Sequence, residues 1–96
     1  VMPDNDLFET ADGRHIALAT FEDKFWAAFA DALGDACPAL REPRYARRAG
    51  RQQHRHALGA QLRALFATRT QDDWMRVLGA LGLPVSRVPD ASELFD

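Results

Sequence analysis

The sequence predicts a small α+β domain, a three-stranded antiparallel sheet of an N-terminal hairpin plus a C-terminal strand, packed by about three helices. Three observations carry this. An Asp12-Gly13 pair separates two short runs of β character, apolar residues recur at helical spacing in three later stretches, and a β-branched run follows Pro84. The 96 residues suffice for one hydrophobic core and one domain over 1–96. With 47% hydrophobic and 27% charged residues and a net charge of -2, the chain has the composition of a folded globular protein.

The elements follow in order. Leu7 to Thr10 and His15 to Thr20 form the hairpin, and a two-residue Asp12-Gly13 loop suits a type I′ turn, which needs positive φ at both positions. Ile16, Leu18 and Thr20 share one face of the second strand and His15, Ala17 and Ala19 the other, so both faces are expected to be covered. Thr20 reads as a helix N-cap with Asp23 three residues on; Phe25, Trp26, Phe29 and Leu33 then keep helical spacing until Gly34. From Asp35 to Arg48 an arginine-rich connector carries Pro38 and Pro43, which predicts turns or one short helical piece. A second helix is expected from Gly50 or Arg51 to about Ala67, with Leu58, Leu62, Leu65 and Phe66 as its buried stripe and Gly59 weakening it slightly. Thr70-Gln71-Asp72-Asp73 starts a third helix, whose apolar face is Trp74, Val77, Leu78 and Leu81 and which Gly82 closes. Pro84 to Val88 is the third strand, and Asp90 or Ser92 would cap a final turn towards Phe95.

Several function classes lose ground on composition. No apolar stretch approaches the roughly 20 residues of a membrane span. Cys37 is the single cysteine, which excludes an internal disulfide framework and suits a reducing, cytoplasmic setting. The chain opens Val1-Met2-Pro3-Asp4 without an initiator methionine at position 1 or a secretion signal, and is expected to be a piece of a longer protein. His15, His54 and His56 have no ligand spacing with cysteine or carboxylate, so no metal site is expected. Trp26 and Trp74 stand at core positions of their helices.

Two clusters invite a chemical reading. Arg41, Arg44, Arg47, Arg48, Arg51 and Arg55 lie close together, opposed only by Glu42, with His54 and His56 beside them. A solvated face or an intersubunit contact explains them most simply, and an anion or phosphate site formed by Arg44, Arg47, Arg48 and Arg51 is the sharper reading. Nucleic-acid binding ranks last, because the rest of the chain is acidic and only Tyr45 offers a stacking platform. Glu22 and Asp23, at the first turn of the first helix, complement its dipole; the sharper reading has Glu22 reaching a partner domain to orient a catalytic side chain. No phosphate loop, nucleophile elbow or paired-carboxylate motif is present, so the chain carries no complete active site.

The ordered set of landmarks is more specific than any one of them. Glu9-Thr10-Ala11-Asp12-Gly13-Arg14, Ile16-Ala17-Leu18, Glu22-Asp23-Lys24-Phe25-Trp26 and Ala32-Leu33-Gly34 resemble the small domain of the family III CoA-transferases. This is the CaiB/BaiF family, which includes the α-methylacyl-CoA racemases. Glu42-Pro43-Arg44-Tyr45, Arg51, Leu58, 66–70, Asp73-Trp74, Leu83-Pro84-Val85, Val88 and Glu93 extend the resemblance along nearly the whole chain. Arg47, Arg48 and the Ser86-Arg87 pair depart from the usual pattern.

The resemblance implies a parent about four times this size, with a large Rossmann-like CoA-binding domain and two interlocked subunits. Its substrate would be a coenzyme A thioester, with no tightly bound cofactor. In transferases, a large-domain aspartate forms acyl-anhydride and thioester intermediates while CoA moves between carboxylic acids. In the racemase branch a large-domain histidine and aspartate exchange the α-proton of an acyl-CoA. There a Glu followed by two residues and an aromatic hydrogen-bonds the catalytic histidine, and Glu22 with Phe25 matches that position. The fragment alone is expected to be inactive and to help cover the acyl-CoA site of its parent.

Overall fold

The computed structural model describes residues 5–19 and 22–89. Strands β1 (Asn5–Glu9), β2 (His15–Ala19) and β3 (Val85–Val88) form one antiparallel sheet in the order β1-β2-β3. Four α-helices stand between β2 and β3 among the described residues: α1 (Asp23–Leu33), α2 (Arg48–Gln53), α3 (Arg55–Phe66) and α4 (Gln71–Ala80). The α+β class and the three-stranded sheet are as the sequence predicts.

Register explains which face is buried. Phe8 stands opposite Ile16, so Phe8, Ile16 and Leu18 all enter the core from the helix-covered face. Phe66 of α3 stacks on Phe8 at 4.7 Å between ring centroids, and Trp74 of α4 meets Phe66 edge-on at 4.9 Å. The Trp74 indole N–H donates to the Phe66 carbonyl at 2.9 Å, so a buried polar group is satisfied inside the aromatic pile. Phe29 and Trp26 extend the pile along α1, and both tryptophans lie in the core. The opposite sheet face is less covered than expected. Ala17 and Ala19 are only half-buried and His15 is exposed, whereas Ile16 and Leu18 share the core with the buried residues of the helices.

Local chemistry corrects some expectations and bears out others. The hairpin loop is longer than two residues, since Glu9 pairs with His15 and the Gly13 N–H closes a turn onto the Thr10 carbonyl. Within this loop Gly13 alone takes a left-handed φ, 78°, whereas a type I′ turn would also require one at Asp12. Thr20 lies outside the described residues, and the N-cap position of α1 is Glu22, whose side chain makes no cap bond. The expected second helix is two helices. His54 leaves helical geometry at φ -109° and ψ 29°, ending α2 and starting α3, while Leu58, Leu62, Leu65 and Phe66 are buried as expected. The connector forms two 3₁₀ turns, Pro38–Arg41 and Pro43–Tyr45, each opened by its proline. At α4 the capping expectation holds: the Asp73 N–H donates to the Thr70 hydroxyl at 3.2 Å. Leu81 is partly exposed at the end of that helix. The turn expected between Asp90 and Phe95 lies outside the described residues.

Candidate functional site

Glu22 stands where the sheet hands the chain to α1. Its carbonyl accepts the N–H groups of Phe25 and Trp26, and its side chain is 50% exposed, 3.6 Å from Lys24 Nζ. An exposed pair between two mobile side chains contributes on the order of 0–1 kcal/mol, so Lys24 does not bind the carboxylate firmly. Among the described residues, Glu22 is therefore neither turned inward nor paired with a buried partner.

The arginine cluster is not one surface. Arg41 folds back onto the end of α1, where its guanidinium donates to the carbonyls of Asp31 at 2.7 Å and Ala30 at 3.3 Å and pairs with Asp35. A cation at a helix C-terminus complements the dipole, so Arg41 is part of the fold. Arg44 pairs with Glu42 at 2.9 Å and lies over the Tyr45 ring, and Arg55 donates to the Gln52 carbonyl. Arg47 and Arg48 are exposed at the start of α2.

Arg51 differs from all of these. It is 1% exposed, donates to the carbonyls of Tyr45 at 2.9 Å and Ala46 at 3.3 Å and to Asp23 Oδ1 at 3.0 Å, and stacks 5.2 Å from the Trp26 ring centroid. Asp23, read from the sequence as a helix-capping and dipole partner, is thus also the counter-ion of a buried cation. Gly50 is the local signal for this burial. A Cβ there would lie 1.8 Å from the Arg44 carbonyl oxygen, so only glycine lets α2 pack directly on the connector turn that Arg51 holds. Arg44, Arg47 and Arg48 stand on the outer side of that turn, with Arg51 behind them.

A second polar centre was not legible as one. Gln71, 3% exposed, donates from Nε2 to the His15 carbonyl at 2.8 Å, accepts from Arg87 at 3.0 Å, and its backbone N–H donates to Asp12 Oδ1 at 3.2 Å. Arg87 also pairs with Asp72. The buried Thr10 hydroxyl donates to Asp12 Oδ1 at 2.6 Å, and this bond leads the causes that hold the Asp12 carboxyl below the ordinary aspartate range. The centre fastens the hairpin tip to the start of α4.

Open depressions lie elsewhere. One, of about 550 Å³, runs between Cys37-Pro38 and the α3 residues Gln61, Ala64 and Leu65, and Cys37 itself is buried. A second, of about 250 Å³, separates Ala27 and Ala30 of α1 from Leu40 and Arg41, and a third lies along Ala17, Ala19, Pro84 and Val85. Glu22, Arg44, Arg47, Arg48 and Arg51 line none of these three. Among the described residues, no group of three or more His, Cys, Asp or Glu side chains could hold a metal ion, and no helix is long and apolar enough to cross a membrane. What the described residues present is a half-exposed carboxylate at a strand-to-helix junction and a basic connector.

Known proteins share this chain's sequence and fold. An acyl-CoA transferase of Fusarium pseudograminearum (strain CS3096) is 31% identical over 90 residues, which cover 94% of this chain and 19% of that protein. The crystal structure of a hypothetical protein (Rv3272) from Mycobacterium tuberculosis superposes with a TM-score of 0.76 at 26% identity, covering 96% of this chain and 25% of the other. The chain thus spans about a fifth of the first relative and a quarter of the second. All residues from 1 to 96 match the description CoA-transferase family III. The chain belongs to CoA-transferase family III.

Proposed function

We propose that this chain is the small domain of an acyl-CoA-processing enzyme and helps to cover the acyl-CoA site, with the parent protein moving CoA between carboxylic acids. The observation that carries this reading is the family match over the whole chain, joined by a relative named acyl-CoA transferase of which the chain spans only about a fifth. The exposed groups of this chain suit a covering role. Arg44, Arg47 and Arg48 offer cations to an anionic substrate, and Arg51 keeps their turn in place from within. The nucleophilic aspartate and most of the CoA contacts belong to a large domain, interlocked with a second subunit, so the 96 residues alone are inactive.

Glu22 favours a second reading within the same family, α-methylacyl-CoA racemisation. A carboxylate that accepts from an imidazole N–H fixes its tautomer and favours its cationic form, and the exposed Glu22 is positioned to serve a histidine outside this chain. The test uses the full-length parent. With an acyl-CoA donor and a free carboxylic acid, CoA transfer is expected, and Glu22→Gln lowers it only slightly. Rapid α-proton exchange in D2O without an acceptor acid, lost in Glu22→Gln, would instead establish the racemase. Absence of both activities across a panel of acyl-CoA donors would remove the acyl-CoA reading altogether.

A further inference from the structure

We infer that Arg51 is a positioning residue: by pinning the first turn of α1 to the turn at Tyr45-Ala46, it fixes Glu22 relative to Arg44, Arg47 and Arg48. This rests on the reading of Glu22 and the connector given above. The guanidinium reaches two separate pieces of chain at once, with two carbonyls on the connector and one carboxylate on α1. Its plane also lies against Trp26, the fourth residue of α1. A planar fork with fixed donor directions satisfies these partners in one orientation only.

Cohesion alone does not call for such a group. Replacing a buried ion pair by well-packed apolar residues is often neutral or stabilising, so what the charged group adds here is geometry. Glu22 immediately precedes Asp23, the residue that Arg51 holds, and makes no cap bond of its own. On the other side, Gly50 brings α2 against the Arg44 carbonyl, so Arg44, Arg47 and Arg48 move with the pinned turn. The carboxylate and the basic connector are then two ends of one unit, which the Arg51 side chain links directly across α1 and this turn.

Spin labels at positions 22 and 47 of the 96-residue chain, on a Cys37→Ser background, read this unit directly. A narrow distance distribution is expected, clearly broadened by Arg51→Met and partly restored in Arg51→Lys. Leu62→Ala, which weakens the core on α3, serves as the control and should lower the melting temperature without broadening the distribution. An unchanged width in Arg51→Met, or equal broadening in Leu62→Ala, overturns the pin and leaves the reading of Glu22 standing. In a parent that exchanges the α-proton of acyl-CoA, Arg51→Met should lower kcat for that exchange about tenfold, as small misplacements of positioned groups do. It should cause no further loss in a Glu22→Gln background. A tenfold loss in both backgrounds would mean that Arg51 does not act through Glu22. If Glu22→Gln alone leaves every acyl-CoA activity intact, the reading of Glu22 fails, and the catalytic part of this inference fails with it.

Discussion

The Arg51 junction and the Asp12–Gln71 junction both tie segments far apart in the chain, 28 residues in one case and 59 in the other. They do so with opposite chemistry. At the first, a full positive charge is withdrawn from water, and its counter-ion Asp23 keeps 44% of its side chain exposed. At the second, the buried hub is the neutral amide of Gln71, while the charges it organises, Asp12, Asp72 and Arg87, stay at the surface. An unpaired buried charge is far more costly than an unpaired amide. The comparison therefore predicts a fragile connector and a tolerant hairpin clamp, although the clamp has more members.

The largest expected effect is at Arg51. Breaking a buried pair costs about 3–5 kcal/mol, and the exposed side of Asp23 can be rehydrated, so Arg51→Met should lose about 2–3 kcal/mol in urea unfolding. Two connector carbonyls also lose their donor. A loss no greater than that of the next variant would erase the contrast between the junctions. Gln71→Ala comes second. It leaves the His15 carbonyl without its 2.8 Å donor and Arg87 without one acceptor, at about 1–2 kcal/mol. Arg87 keeps Asp72, which is why the loss should stay moderate.

The two junctions also show what a linear sequence reveals. Features whose cause is local were legible: the hairpin around Asp12-Gly13, the Thr70 cap with Asp73 at N3, the buried stripe of α3 and the strand after Pro84. Each depends on residues within one turn or one strand of each other. Arg51 and Gln71 depend on partners 28 and 56 residues away, and nothing in a run of arginines or a capping box marks which member will be buried. Gly50 was the available sign, a glycine entering a helix where no turn needs it. The break at His54 had no such sign, since neither proline nor glycine stands there. Of the candidate site, Glu22 was legible as a junction residue, whereas the division of the arginines into inward-directed Arg41 and Arg51 and outward Arg44, Arg47 and Arg48 depends on tertiary packing.

The smallest expected effect sharpens the clamp side of the comparison through pH. The Thr10 hydroxyl and the Gln71 N–H both donate to Asp12 Oδ1, favouring the ionised carboxylate and depressing its pKa in the folded chain. A carboxyl more acidic folded than unfolded releases its proton on folding, so its contribution is complete above the ordinary aspartate value, near 4. It fades as pH falls from there through the lower folded-state value. Asp12→Asn keeps an oxygen for the same donors and removes the charge. The variant should therefore be less stable than the parent chain at pH 6, and the gap should shrink as denaturation is repeated towards pH 3 and below. A gap that stays constant over this range would mean that the clamp uses Asp12 for its shape alone. The contrast would then become sharper still, with ionic character confined to the connector and the hairpin held by neutral hydrogen bonds.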